Sequence, residues 1–152
     1  MFVSLIDSQF GRLEIAEADG QIEYIGDWRG NPSSPSSLTE RAASEITEYL
    51  EGMRREFTFP FLKGSTGFRR KVYSACIRVP YGCTATYMDI ARAIGNEKAC
   101  RAVGQALKAN PVLIAVPCHR IIASDGSLSG YRCGLDMKRG LLELEGITLS
   151  EG

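Results

Sequence analysis

The sequence predicts an α+β protein in which a small β-sheet and one helix are followed by a mainly helical half with a helix-turn-helix and one short active-site strand. Three observations lead to this prediction. Apolar and polar residues alternate in residues 2–28, apolar residues recur at helical spacing over much of the remaining chain, and five consecutive aliphatic residues stand between Pro111 and Pro117. Alternation is typical of strands, and recurrence every three to four residues is typical of amphipathic helices.

The first half is predicted to be a β meander that precedes one helix. Turn residues around Gly11 and Gly20 divide residues 2–28 into three strands. Residues 38–53 carry apolar side chains at helical spacing and reach a glycine near their end. This half contains no motif that bears chemistry.

The two halves of the chain differ in net charge, although the overall composition is ordinary. Hydrophobic residues make up 44% and charged residues 24% of the 152 residues, as in an ordinary globular protein. The net charge is zero, but residues 1–62 carry 5 basic against 11 acidic side chains (−6), and residues 63–152 carry 13 against 7 (+6). We therefore predict two domains, 1–62 and 63–152, with any nucleic acid held by the second.

The start of the chain has no basic leader, and the sequence contains no apolar run of membrane-spanning length. We therefore expect a cytoplasmic protein with no membrane partner. The five cysteines have no paired short spacings and only one histidine to assist them, so neither a structural metal nor another cofactor is expected. Their odd number leaves at least one thiol free, which suits a reducing compartment.

The second half is predicted to open with a helix capped by Ser65 or Thr66 and to continue with two helices over residues 87–94 and 97–109. Gly95 ends the first helix of the pair. Two short helices joined by a glycine-containing turn form the helix-turn-helix pattern, although most helix pairs in proteins bind no DNA.

The outer face of the second helix favours DNA. On a helical wheel Arg101, Gly104, Gln105 and Lys108 fall on one side, opposite the apolar residues. That face is basic, polar and low in profile. Gly104 inside a helix suits the close approach of another backbone, either that of DNA or that of a tightly packed neighbouring helix.

The aliphatic run, residues 112–116, is predicted to be a short buried strand that delivers Cys118 to the rim of a core. The only histidine, His119, and a permanent cation, Arg120, follow at once. A thiol requires neighbours of this kind to become a nucleophilic thiolate, so we expect an acidified Cys118. The alternative is an inert buried cysteine that packs as a small hydrophobe.

These residues form a pattern that resembles the active-site signature of the O6-alkylguanine-DNA alkyltransferases, also called methylated-DNA–protein-cysteine methyltransferases. The resemblance extends from about residue 68 to residue 146, more than half of the chain. It rests on Asn110-Pro111, Pro117-Cys118-His119-Arg120, Gly130-Tyr131 and Glu145-Gly146.

The resemblance implies DNA repair by a single, stoichiometric transfer of an alkyl group from O6-alkylguanine to Cys118. His119 would accept the thiol proton through a water, and Glu145 would orient the imidazole. Asn110 would brace the segment between the DNA-reading helix and the active-site strand, and Arg120 would support the adjoining loop by ion pairing. No cofactor is implied.

The same resemblance implies how DNA is bound. Tyr87 would help to rotate the damaged nucleotide out of the duplex, and Arg101 would fill the gap that it leaves. Gly104 would lie in the minor groove of double-stranded DNA. Tyr131 would line the guanine pocket, where backbone N–H groups near Tyr131 and Arg132 would bind the guanine oxygen. The protein would act as a monomer.

Some positions depart from the family pattern. Arg132 and Cys133 stand where smaller residues are common, and Tyr73 stands where a tryptophan is usual. The first two bear on pocket size and on the range of alkyl groups accepted.

Two other functions fit parts of the sequence. Alkyltransferase-like proteins share the DNA-binding half but lack the reactive cysteine, so Cys118 argues against that alternative. A cysteine hydrolase or acyltransferase could use Cys118, His119 and Glu145, but a base adjacent in sequence to its nucleophile is awkward for direct proton transfer.

Overall fold

A computed structural model describes residues 1–64 and 67–149 and shows two compact units. The first unit contains residues 1–62 together with 111–115, and the second contains residues 63–110 and 116–152. The predicted domain boundary after residue 62 stays a prediction, and this grouping adds a short later segment to the first unit. None of the helices that the structure describes has the length and apolarity needed to cross a membrane.

The first unit is built on a three-stranded antiparallel sheet in the order β1-β2-β3, and the predicted meander is confirmed. The strands are β1 (Phe2–Ser8), β2 (Gly11–Ala18) and β3 (Gln21–Asp27). Gly11 and Gly20 stand at the two turns between these strands and have φ angles of +95° and +79°. Residues other than glycine rarely adopt positive φ angles, which explains why glycine occupies these turn positions.

Helix α1 (Ser37–Leu50) packs against this sheet. Its first turn is closed by a capping box in which Ser36 and Thr39 satisfy each other's backbone N–H groups. The buried face carries Ala42, Ile46 and Tyr49 at the predicted spacing. The helix ends at Leu50, three residues earlier than predicted, and Gly52 follows with a φ of +78°.

The aliphatic segment 112–116 is buried throughout, but the predicted continuous strand is wrong. Val112 forms an isolated parallel bridge with Ile25. Ile114 then takes a φ of +73°, and the N–H of Ala115 donates back to the carbonyl of Leu113 at 2.8 Å, which makes a tight turn. Five consecutive aliphatic residues indicate that a segment is buried. They do not show that it is a strand, because a strand also requires a hydrogen-bonded partner along its length.

The second unit is mainly helical. Its helices are α2 (Gly67–Ile77), α3 (Tyr87–Ala93), α4 (Cys100–Lys108) and α5 (Leu135–Leu144). The α3–α4 pair occupies the predicted helix-turn-helix positions, and α2 packs against both helices. The predicted cap at Ser65 or Thr66 lies outside the described residues.

Two features of this unit were not predicted. A single 3-10 turn, Glu97–Ala99, precedes α4 within the range predicted as one helix. Strands β4 (Ala85–Thr86) and β5 (Ile121–Ile122) pair in parallel, and this pairing joins the start of α3 to the segment that follows Cys118. Strands of two residues are too short to produce a periodic pattern in sequence.

Candidate active site

Cys118 begins a single 3-10 turn, Cys118–Arg120, that leads directly into β5. Its side chain is buried, with 5% of the residue surface exposed. Asn110 contacts it from the end of α4: Nδ2 of Asn110 lies 3.3 Å from Sγ of Cys118 and 3.0 Å from the carbonyl oxygen of Val116. One buried amide thus connects the end of the helix to both the thiol and the chain that carries it.

Behind the thiol, three charged or titratable side chains form a buried network. Nε2 of His119 lies 2.8 Å from Oε2 of Glu145. Arg120 donates from Nε to Oε1 of Glu145 at 2.8 Å and from Nη2 to Oε2 at 3.0 Å, and the backbone N–H of Gly82 donates to Oε1 at 3.0 Å. The ion pair expected for Arg120 is therefore made with Glu145, and it fixes the carboxylate that contacts His119.

This network assigns the two ring nitrogens of His119. An ionised carboxylate can only accept hydrogen bonds, so Nε2 carries the ring proton that points to Glu145. Nδ1, which is also buried, is then the nitrogen that accepts a proton. The geometry is that of an imidazole base held by an acidic side chain.

In front of the thiol lies a cavity of about 540 Å³. Helix α4 and the start of α3 form one wall, and the loop 129–131 forms another. The predicted site residues that line it are Tyr87, Arg101, Gly104, Cys118 and Tyr131. Its volume lies in the range of small-molecule pockets, so it can hold a purine base.

The second unit matches a family of known proteins, and so does the chain as a whole. The family model for the DNA-binding domain of 6-O-methylguanine DNA methyltransferase matches residues 67–147. The inducible methylated-DNA–protein-cysteine methyltransferase of Bacillus subtilis is 45% identical over 148 residues, which span 93% of this chain and 82% of that protein. The chain belongs to the methylated-DNA–protein-cysteine methyltransferase family.

Two further relatives cover nearly the whole chain. The methylated-DNA–protein-cysteine methyltransferase of Methanosarcina acetivorans is 37% identical over 96% of this chain and 99% of its own length. The crystal structure of Mycobacterium tuberculosis OGT in complex with DNA superposes with a TM-score of 0.86 and 35% identity, over 95% of this chain and 92% of that one. Both units of this family member therefore have counterparts in full-length relatives.

The buried thiol of this methyltransferase family member is not acidified in the resting protein. Burial raises the pKa of Cys118 to about 11, although the Asn110 hydrogen bond and the charges of Lys138 and Arg132 act to lower it. The expectation that His119 and Arg120 would acidify the sulfur is therefore wrong. Burial also lowers the pKa of His119, against the opposing effect of Glu145, so the imidazole is neutral near pH 7.

This protonation state defines what the site can do. The thiol is protonated, and the imidazole next to it in sequence is neutral and can accept a proton. The positive charge of Arg120 is paired with Glu145 and does not stabilise a thiolate. The thiolate must consequently form during the reaction by transfer of the thiol proton to His119.

Sequence reasoning missed Lys138, which is fully buried on α5. Its Nζ donates to the carbonyl oxygens of Ile121 at 2.7 Å, Ser129 at 2.5 Å and Gly130 at 3.4 Å. Burial lowers its pKa to about 8, opposed by Cys118 and Cys76. The signal was present in the sequence, because a lysine at this position falls on the apolar face of α5.

Tyr87 and Lys138 hold the same part of the cavity wall. The hydroxyl of Tyr87 donates to the carbonyl of Ser129 at 3.1 Å, and Nζ of Lys138 lies 5.9 Å from the centre of the Tyr87 ring. Burial raises the pKa of Tyr87, so the phenol is a hydrogen-bond donor at neutral pH. The loop that walls the cavity is thus fixed from two helices.

Gly104 is not required by helix packing. A Cβ built at this position would meet only the Tyr87 ring, at 3.9 Å, which is an ordinary van der Waals distance. Tight packing against another helix therefore does not account for the glycine. Arg132, the other residue predicted to help bind guanine, donates from Nε to the carbonyl of Asn110 at 3.0 Å.

Proposed function

We propose that this protein repairs DNA by transferring a methyl or other alkyl group from the O6 atom of a guanine to Sγ of Cys118. The observation that carries the proposal is a buried cysteine that opens into a base-sized cavity on one side and lies next in sequence to a carboxylate-bound imidazole. The membership of the family and the relative that was crystallised with DNA support the same reaction class.

The chemistry follows from the resting protonation states. Nδ1 of His119 takes the thiol proton, directly or through a water, while Glu145 offsets the positive charge that develops on the ring. The sulfur then forms a bond to the alkyl carbon, and the bond between that carbon and O6 breaks with its electron pair passing to the guanine. The guanine anion takes up one proton, and His119 releases the proton that it received from the thiol, so atoms and charge balance and the imidazole is neutral again.

The cavity explains how a base could be received. We propose that double-stranded DNA lies with its minor groove on α4, where Gly104 allows close approach. Arg101 would enter the base stack in place of the rotated nucleotide, and Tyr87 would donate to the guanine ring. Tyr131 would line the base pocket, with backbone N–H groups near Tyr131 and Arg132 binding the guanine oxygen.

The reaction should occur once per molecule. The carbon–sulfur bond of a thioether resists hydrolysis, because a thiolate is a poor leaving group from an alkyl carbon. The protein would act as a cytoplasmic monomer without a cofactor. The alternatives are less well supported: an alkyltransferase-like binding module has no use for Cys118, and a hydrolase would need repeated turnover at the same sulfur.

The test is a mass measurement on the whole protein. After incubation with an oligonucleotide duplex that contains O6-methylguanine, we expect the mass of one methyl group to be added to the peptide that bears Cys118. A Cys118→Ser variant and an undamaged duplex should add none. Cys83→Ser, which removes an exposed thiol instead, should react as the unsubstituted protein does. Absence of methyl on Cys118, or many turnovers on an activated ester, would contradict the proposal.

A further inference from the structure

A second groove, on the flank of α2, carries cations that the alkyl-transfer site does not use. Its volume is about 360 Å³, and none of its lining residues lines the Cys118 cavity. The polar part of the lining is Arg70, Lys71, Ser74 and Arg78, and the floor is completed by residues 93–94 at the end of α3. Every charged group in this lining is positive.

The charges of this groove are not balanced by the protein. Lys71 and Arg78 have no acidic partner within 4.0 Å among the residues that the structure describes, and α2 contains no acidic residue. Arg70 stands in the first turn of α2, where the helix dipole disfavours a cation. The helix dipole therefore does not explain the arginine at position 70, and a bound anion would.

Arg70 is also held in place. Its Nε donates to the carbonyl oxygen of Gly64 at 3.1 Å, which leaves the terminal N–H groups of the guanidinium as further donors. Gly64 has a φ of +108°, and a Cβ there would stand 2.9 Å from the backbone nitrogen of Arg70. The approach that fixes this arginine thus requires a glycine at position 64.

The spacing of the groove fits a phosphate backbone. Arg70, Ser74 and Arg78 follow one another at intervals of four residues along one side of α2 and its end. Eight residues of helix rise about 12 Å, and successive phosphates on one DNA strand are about 3.4 Å apart along the duplex axis. The row spans about 3.5 such steps and can therefore face three to four phosphates, with the Ser74 hydroxyl as a neutral donor between two cations.

We propose that this groove is a second DNA contact, which binds backbone phosphates of duplex DNA independently of the damaged base. Its contribution is sequence-independent affinity that holds the protein on DNA while the cavity samples guanines. The identity of the polyanion rests on the proposed function, whereas the groove itself rests only on its charge and geometry.

The test compares two triple variants that change the net charge equally. Arg70→Gln, Lys71→Gln and Arg78→Gln together remove the groove cations, and the control replaces three exposed arginines of the first unit, Arg12, Arg41 and Arg55, by glutamine. Binding to an undamaged duplex is measured across a range of salt concentrations. We expect the groove variant to lower the salt slope by about two to three and to weaken binding about tenfold or more at low salt, with no such change in the control.

Transfer from the free base O6-methylguanine provides the second measurement, because this substrate has no phosphate. The groove variant should methylate Cys118 from the free base at the unsubstituted rate. Equal salt slopes for the groove and control variants, with transfer intact, would overturn the groove proposal. Absence of transfer from the methylated duplex to the unsubstituted protein would instead overturn the proposed function.

A capture experiment with the same proteins shows whether the groove binds the duplex that enters the cavity or a second duplex. If the groove holds a second duplex, immobilised duplex loaded with the unsubstituted protein should capture free labelled duplex, and the groove variant should not. If it holds the duplex that enters the cavity, capture should be absent while the salt slope still falls.

Discussion

Lys138→Met separates the energetic cost of burying the ammonium from the gain of its three hydrogen bonds. It replaces a buried ammonium by a side chain of similar length and leaves three carbonyl oxygens, those of Ile121, Ser129 and Gly130, without their Nζ donor. An unsatisfied buried acceptor costs about 1–3 kcal/mol. Ser129 keeps the hydrogen bond from Tyr87, so its share is smaller.

An opposing contribution comes from the charge itself. The pKa of Lys138 falls from 10.5 to about 8 in the folded protein, so burying the charged form costs roughly 3 kcal/mol at neutral pH, at about 1.4 kcal/mol per pKa unit. The substitution removes this cost. The two effects are similar in size, and we expect the free energy of unfolding at pH 7 to change by less than about 2 kcal/mol.

The pH dependence separates the two effects. Between pH 8 and 10.5 the unfolded chain binds the lysine proton and the folded protein does not, so this group raises the free energy of unfolding as pH rises. Cys118, with its pKa raised to about 11, acts in the opposite direction above pH 9 in both proteins. Because the Lys138 charge also lowers the Cys118 pKa, the two proteins are compared below pH 9, where the Cys118 contribution is still small. There the difference in unfolding free energy should change by about 1 kcal/mol from pH 7 to pH 9 in favour of the unsubstituted protein.

The assays are urea unfolding at several pH values and the single-turnover rate of methyl transfer. The rate should fall about tenfold or more in Lys138→Met, because the variant loosens the cavity loop and loses a charge that favours the Cys118 thiolate. Lys138→Arg keeps the charge and serves as the matched variant. A difference in unfolding free energy that is flat with pH, or a full transfer rate in Lys138→Met, would refute this reasoning.

Three other substitutions test the remaining parts of the site. Glu145→Ala leaves Arg120 buried without its carboxylate and should lower the free energy of unfolding by about 3–5 kcal/mol in urea titrations, and a loss of under about 1 kcal/mol would contradict the buried ion pair. Gly104→Ala should leave the fold as stable or about 1 kcal/mol more stable, since the added methyl meets only the Tyr87 ring, at an ordinary van der Waals distance. The same variant should bind undamaged duplex more weakly in a fluorescence titration, and unchanged affinity would remove α4 from the DNA interface. Asn110→Ala should shift the pKa of Cys118 further upward, seen as slower thiol alkylation at every pH from 7 to 10, and faster alkylation would contradict the stabilising hydrogen bond.

Local signals predicted most of the helices and strands. The alternation in residues 2–28 predicted the meander, and Gly95 predicted the end of α3 to within one residue of the observed end at Ala93. Such features depend on residues close in sequence, so they are read without knowing the fold. The strand predicted over residues 112–116 was wrong, because the conformation of this segment depends on partners that are distant in sequence, such as Ile25.

The candidate site divides in the same way. Cys118, His119 and Glu145 were identified from a sequence pattern, and the structure brings the last two within 2.8 Å. The protonation of the thiol was predicted wrongly, because adjacency in sequence shows which charges are near but does not show how much water has been removed. The partners of Lys138 could not be predicted, because its three acceptors lie 8 to 17 residues away in the chain.

By itself, the sequence determined which residues this protein has available for chemistry, because residue type and order fix the motif and the helical faces without reference to the fold. Only the tertiary structure decided their electrical state and their partners. Burial, a property of the packed chain, sets the pKa of Cys118 above and that of Lys138 below the ordinary value. The packing of the chain also pairs Arg120 with Glu145 and not with the thiol of Cys118.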